Sequence, residues 1–290
     1  MIKKAIIPAT ELGTQFYPLS KVLPKEILPL VDLPFIDYVV REARDSDIAQ
    51  IIFVLRENRK AVADYFKKNQ KLENIFKKDN QLKEFLKDYE EKEKEFEGLS
   101  FSSCFQQSPK GNAEAILKVR NYIKKESFAL LFSDNIFENR VPVLEQLKKI
   151  FQTSQKPVIG LREVPREKIS SHSIVKVEKI ANKLYKIKEI QEKPEPEEAF
   201  SNLAIVGRYI LTSDIFDYIK KTRANEKGEI ELTNTLNLML KNGKVIYGYE
   251  ISGEWLECGE KIDWLKSNLY LCLKHPKYGP ILREYLKNIK

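Results

Sequence analysis

What most constrains the fold of this chain is an alternation of short apolar runs with amphipathic stretches through its first half. Residues 3–8 read as a strand, followed by a loop and by an amphipathic helix over 35–44. Residues 51–55 form a short strand of the fully buried kind. Between 58 and 97, Val62, Tyr65, Phe66, Leu72, Ile75, Phe76, Leu82, Phe85, Leu86 and Tyr89 are spaced as the inner faces of two helices. Residues 101–105 and 128–132 read as further strands, with a helix over 112–124 between them. Strands that alternate with helices build a mainly parallel sheet with right-handed crossovers. Ligands of such sheets sit outside the carboxyl ends of the strands. Here those ends are residues 8–15, 106–111 and 133–135.

After Pro157 the pattern changes. Residues 174–177 and 184–190 alternate apolar and polar around Ala181-Asn182-Lys183, as a hairpin does. Residues 203–211 form a long strand, 214–221 and 233–241 helices, 245–251 a last strand, and 262–273 and 281–287 two closing helices. There is no internal repeat, and Pro194-Glu-Pro196 is a kink rather than a boundary. The chain therefore reads as one domain over 1–290.

Composition narrows the function classes. The 290 residues are 42% hydrophobic with 15 Phe and 13 Tyr, a core that needs no staples. No apolar run approaches the ~20 residues of a membrane span, and the first residues pass straight into a strand with no signal peptide ahead of it. Cys104, Cys258 and Cys272 are widely spaced and form no CxxC pair. That argues for a reducing, cytoplasmic setting and against a disulfide frame or a zinc site. With His172 and His275 as the only histidines, a poly-histidine metal centre is excluded. The net charge of +8 does not point to nucleic acid, because Lys and Glu interleave over 57–98 as on a solvated helix face. The same excess favours anionic ligands such as nucleotides.

Six segments carry more. The first is Ala9-Thr-Glu-Leu-Gly-Thr-Gln-Phe-Tyr-Pro18, followed by Lys21 and Pro24-Lys-Glu-Ile-Leu-Pro-Leu-Val-Asp32. Then come Gln106, Pro109 and Gly111, and Asp134 after a buried strand. Glu192-Lys-Pro194 precedes Ser201-Asn-Leu-Ala-Ile-Val-Gly-Arg-Tyr-Ile-Leu211, and Gly228-Glu-Ile-Glu-Leu-Thr233 and Cys258-Gly259 complete the series. In this order they resemble the bacterial UTP–glucose-1-phosphate uridylyltransferase family over nearly the whole chain. The resemblance implies the nucleotide-diphospho-sugar transferase fold: a Rossmann-like mixed, mainly parallel sheet flanked by helices, with a small β-hairpin region on the sugar side. Residues 1–150 would form the nucleotide-binding half, and 151–290 the sugar-binding half with the C-terminal helices.

It also implies a reaction, in which UTP and glucose 1-phosphate give UDP-glucose and pyrophosphate with Mg2+ bridging the phosphates. Such a site must hold a polyanion on backbone N–H groups and cations. The attacking phosphate is already an anion, so positioning and charge neutralisation replace a general base. By resemblance Ala9, Thr10, Gly13, Thr14 and Gln15 belong to the nucleotide loop, and Lys25 contacts the phosphates. Gln106 and Gly111 face the uracil. Ser173, Glu192, Val206 and Gly207 lie at the sugar, Lys193 holds the sugar phosphate, and Asp134 and Glu257 ligate the metal. Lys25 and Lys193 are the catalytic cations.

The chain departs from the family where this chemistry is done. Glu11 stands at a glycine position and Gln15 at an arginine position. Ala113-Glu114 replaces glycine and, usually, histidine, His172-Ser173 replaces tyrosine–glycine, and Glu257 replaces aspartate. A carboxylate ~5 Å from a phosphate charge, at an effective dielectric of ~20, repels it by roughly 3 kcal/mol. Gln15 lacks the fork and charge of a guanidinium. The resemblance therefore implies a uridylyltransferase of impaired activity. Two alternatives stay open: a non-catalytic paralogue that binds nucleotide or sugar nucleotide and regulates an active relative, and a related nucleotidyltransferase with a shifted sugar or nucleotide. A homo-oligomer, or a hetero-oligomer with an active relative, is the association the resemblance implies, and neither nucleic acid nor membrane is a partner.

Overall fold

Strand β1 (Lys4–Ala9) is buried on both faces, and its residues divide between two cores. Ala5, Ile7 and Ala9 face one core and Ile6 the other, as the two-residue period of a strand requires. The computed structural model describes residues 2–57, 59–107 and 110–289. Pro109 of the sequence motif lies outside them.

After β1 come a two-residue ladder, β2 (Pro29–Leu30) and β3 (Leu33–Pro34), then α1 (Phe35–Asp45) and β4 (Gln50–Arg56). Helices α2 (Ala61–Asp64), α3 (Gln70–Lys78) and α4 (Lys83–Glu95) lead to β5 (Ser100–Gln106). Next are α5 (Asn112–Leu117), α6 (Arg120–Ile123), β6 (Phe128–Leu131), β7 (Asn135–Glu138), α7 (Val143–Ser154) and β8 (Val158–Glu163). The hairpin β9 (Ser173–Ala181) and β10 (Leu184–Glu192) precedes β11 (Leu203–Leu211), α8 (Ile215–Lys221) and α9 (Leu232–Lys241). Strands β12 (Tyr247–Glu250) and β13 (Glu254–Glu257) and helices α10 (Lys261–Lys274) and α11 (Gly279–Lys287) follow.

A nine-stranded sheet runs in the order β5-β4-β1-β6-β11-β8-β12-β10-β9. It is parallel from β5 through β6, as strand–helix alternation predicts. Beyond that it is mixed: β11 runs antiparallel to β6 and β8, β8 and β12 are parallel, and β12, β10 and β9 alternate. All of β11 is buried, which suits a strand at the centre of the sheet. Helices α1 and α7 cover one face through Val39, Val40, Leu144 and Leu147. Helices α5, α8 and α9 cover the other through Ile116, Phe216, Leu236 and Met239.

Three sequence expectations change. The 58–97 region holds α2, α3 and α4, and no residue of α3 or α4 is fully buried; Ile75 and Phe85 are 55% and 58% exposed. The apolar spacing there brings Phe76 onto Phe85 and Tyr89 within the α3–α4 pair. The pair docks on the body partly through charge. Lys92 pairs with the buried Asp37, and Arg41 Nη2 reaches Glu95 at 2.8 Å. The single helix expected over 112–124 breaks in two, because Lys118 and Val119 turn into tighter i→i−3 hydrogen bonds. Finally, the structure adds α7, β8 and the β7–β13 ladder, of which α7 carries a helical period in Val143, Leu144, Leu147 and Phe151 after Pro142.

One buried cation joins these layers. Arg208, in the middle of β11, is fully buried and uses its whole donor fork. It donates to the Glu42 carboxylate of α1, to the Phe132 and Gly207 carbonyls, and to the Asn135 carbonyl at 2.6 Å. Removing it strands a carboxylate and several carbonyls in the interior. Arg208→Leu is expected to lose about 3–5 kcal/mol of stability, measured by equilibrium urea unfolding.

Candidate active site

The carboxyl ends of β1, β5 and β6 open onto a cleft of about 490 Å³, where sheet topology puts a ligand. Among its lining residues are Thr10, Gly13, Thr14, Gln15 and Lys25 on one side, Gln106 and Gly111 on a second, and Asp134, Glu192 and Lys193. Ala9 does not reach it; its side chain packs in the core below. The loop after β1 turns at Gly13, whose φ of 65° is left-handed. Beneath the loop, Arg59 is 8% exposed and donates to the Leu12 carbonyl at 2.9 Å and the Ser20 carbonyl at 3.4 Å. This buttress was not legible in sequence.

Lys25 is the electrostatic centre of the cleft. Its side chain is 3% exposed, and its Nζ donates to Asp134 Oδ2 at 2.7 Å and Glu11 Oε2 at 2.5 Å. Burial opposes its charge, but Asp134 and Glu11 outweigh burial, so the ammonium titrates above the ordinary lysine range. Asp134 responds in kind: burial works against its charge, yet Lys25 holds its carboxyl below the usual range. Glu11, which lines the cleft with a side chain 55% exposed, is therefore a paired charge rather than a bare one. It occupies the lysine that would meet the phosphates.

Asp134 is held from its other oxygen as well, by Asn135 Nδ2 at 2.8 Å, while Trp255 Nε1 donates to Asn135 Oδ1 at 2.9 Å. Gly207 lies under this arrangement. A Cβ there would meet Asn135 Nδ2 at 2.8 Å, and φ is 67°, so glycine serves the packing of Asn135. Val206 is buried in the core. Gly207 also accepts the Phe132 amide at 3.0 Å, and Phe132 lines the cleft.

Glu257 stands beside Asp134 along the backbone, since Cys258 N donates to the Asp134 carbonyl at 2.8 Å, but its carboxylate is engaged elsewhere. It pairs in register with Asn135 across the β7–β13 ladder, and its carboxylate meets His172 Nε2 at 3.0 Å and Lys168 Nζ at 3.6 Å. Burial opposes its charge, but His172 and Lys168 keep it ionised below the usual range. Among the described residues no group of three His, Cys, Asp or Glu side chains is placed to hold a metal. Magnesium commonly takes one or two carboxylates and completes its shell with substrate phosphates and water. Asp134, a carboxylate already gathered around a cation in the cleft, fits that mode, while the Glu257 carboxylate is paired with His172 and Lys168.

On the second side, Gly111 cannot be replaced. Its φ is 91°, and a Cβ would sit 2.3 Å from the Ile230 carbonyl oxygen. The segment 228–233 crosses here as a strap: Ile230 N bonds the Lys110 carbonyl, Ala113 N the Ile230 carbonyl, and Leu232 N the Asn112 side chain. The strap brings Lys227, Glu229 and Glu231 to the cleft. Gln106, 3% exposed, donates to Glu114 Oε2 at 2.5 Å. On the far side Ser173 Oγ donates to Glu192 Oε2 at 2.7 Å, joining two residues expected at the sugar. Lys193 follows with a left-handed φ of 45° and forms no ion pair among the described residues.

The model of the nucleotidyl transferase family matches residues 4–272. The chain belongs to this family. A UTP–glucose-1-phosphate uridylyltransferase of Staphylococcus haemolyticus is 36% identical over 99% of this chain and 98% of the relative. The UTP-bound UDP-glucose pyrophosphorylase of Acinetobacter baumannii superposes with a TM-score of 0.90 at 32% identity, covering all of both chains. A UDP-glucose pyrophosphorylase complexed with UDP-glucose superposes at 0.84 and 33% identity, over 95% of this chain and all of that one. The fold of this nucleotidyl transferase is thus the mixed α/β nucleotide-diphospho-sugar transferase fold.

Glu26, next to Lys25, is fully buried at the cleft, and its Oε2 has no hydrogen-bond partner among the described residues. Burial pushes its carboxyl up to about 7, against the opposing pull of Lys25. A carboxyl raised on folding stabilises most below its unfolded value of 4.5, and that stability is lost as pH rises through about 7. Relative to Glu26→Gln, the wild type is expected to lose on the order of 2–3 kcal/mol between pH 4.5 and pH 7.5, read from urea unfolding of both proteins across that range.

Proposed function

We propose that this nucleotidyl transferase forms UDP-glucose and pyrophosphate from UTP and glucose 1-phosphate. The observation that carries the reading is one cleft at the strand ends, with the buried cation Lys25 on one side and Lys193 on another. The near full-length likeness to uridylyltransferases, and to structures holding UTP and UDP-glucose, supports the same substrates. In this reading a phosphate oxygen of the sugar attacks the α-phosphorus of UTP, the bond from that phosphorus to the bridging oxygen breaks, and pyrophosphate leaves. Lys25 and the Gly13–Thr14 loop hold the triphosphate, Lys193 holds the sugar phosphate, and Glu192, braced by Ser173, meets the sugar hydroxyls. Gln106 and Gly111 face the base. Asp134 would hold magnesium, which when bound neutralises phosphate charge and orients the reacting groups. No general base is needed, because the nucleophile is an anion at neutral pH.

The half over 1–150 is proposed to carry the nucleotide and 151–290 the sugar. Cytoplasmic residence accords with three free cysteines. Self-association is supported by the exposed apolar side chains of α10 and α11, among them Leu265 and Ile281 at 53% and 67% exposure.

A second reading, a binding protein without turnover, is favoured by two observations: Glu11 engages Lys25, and neutral Gln15 lines the cleft where a guanidinium would be wanted. The purified protein with UTP, glucose 1-phosphate and magnesium separates the two. Pyrophosphate release above that of Lys193→Ala is expected; a folded protein that binds UTP without release would make the second reading right. Because Glu11 competes with phosphate for Lys25, Glu11→Gln is expected to bind UTP about tenfold more tightly by calorimetry, equivalent to ~1.4 kcal/mol.

A further inference from the structure

Glu114 lies in the first turn of α5, with a side chain 14% exposed. One oxygen accepts the Gln106 amide at 2.5 Å and the other pairs with Lys118 at 2.9 Å. A second acceptor, the Gly111 carbonyl, stands 3.4 Å from the same amide nitrogen. A carboxylate and a carbonyl only accept, so the NH2 end of Gln106 must face them; the orientation follows from chemistry. Gln106 Oε1 is therefore the opposite end of a buried amide at the cleft, and among the described residues it receives no hydrogen bond.

We propose that Glu114 is a positioning residue for base selectivity: it locks Gln106 with its carbonyl oxygen presented to the base. This rests on the reading above, in which Gln106 faces the base. A fixed acceptor selects a pyrimidine that offers a ring N–H, the imide of uracil or thymine. It disfavours cytosine, whose corresponding ring nitrogen is itself an acceptor. Two acceptors brought together out of water leave both unpaired, and buried polar sites reject such mismatched ligands strongly. The histidine usual at this position in the family presents a donor or an acceptor according to its protonation. Glutamate removes that ambiguity, so this departure sharpens the choice of base.

The test is calorimetric binding of UTP and of CTP to the wild type, Glu114→Gln, Glu114→Ala and Lys118→Ala, each checked for cooperative melting. The wild type is expected to prefer UTP by roughly tenfold or more. Both Glu114 variants should reduce that ratio by about tenfold, because Gln106 is then free to turn over. Glu114→Gln keeps the side-chain volume and covers the case of an unfolded alanine variant. Lys118→Ala removes the other partner of Glu114 and should leave the ratio unchanged. Equal affinities in the wild type, or an unchanged ratio in the folded Glu114 variants while UTP still binds, overturn the proposal. A folded wild type that binds neither nucleotide overturns the functional reading, and the proposal falls with it.

Discussion

The fully buried guanidinium of Arg208 is the interaction on which the geometry of the cleft depends. It sits in the strand that joins the parallel and mixed parts of the sheet, and it binds the backbone on both sides of Asp134, at Phe132 and Asn135. Glu42 neutralises it from α1 and also accepts the Leu144 amide at the start of α7. One cation thus sets the distance between a helix, a central strand and the turn that carries Asp134. A buried ion pair is a weak source of net stability, but it is intolerant of rearrangement. Here that intolerance fixes where Asp134 stands.

The cleft itself is a balance of charges held close together. Lys25 is shared by Asp134 and Glu11, and Glu26 lies beside it with one oxygen that has no partner among the described residues. A chain of bonds runs from Trp255 through Asn135 and Asp134 to Lys25. A polyanion entering this space meets a lysine already satisfied, so binding is an exchange of partners rather than a simple attraction. Lys193, on a left-handed backbone at the other side, has no such competitor among the described residues.

The first half of the sheet was legible because each strand is a short apolar run with a helix after it, and the strand ends then pointed to the cleft. Lys25, Gln106, Asp134, Glu192 and Lys193 stood out through motifs, and the structure gathers them. What was hidden depends on partners distant in sequence. Arg208 lies inside an apolar strand and satisfies itself largely on backbone carbonyls, which carry no sequence signal. The β7–β13 ladder pairs residues more than a hundred positions apart, so the place of Glu257 opposite Asn135 was invisible. Over 58–97 the apolar spacing was real, but spacing does not name the surface that a helix meets. There the anchor is Asp37, fully buried under Lys92 and Arg41.

The strap over Gly111 bears on how the protein comes into being. The wall of the cleft beside Gln106 is completed by Ile230 and its neighbours, which bond to Lys110, Asn112 and Ala113. During synthesis the strands that form the floor of the cleft leave the ribosome well before this segment. Domains generally fold as units as the chain emerges, yet here the side of the cleft beside Gln106 stays open until residues beyond 232 are free. A nascent chain halted earlier would have a floor without a wall. That wall of the cleft therefore depends on residues more than a hundred positions beyond the loop it closes.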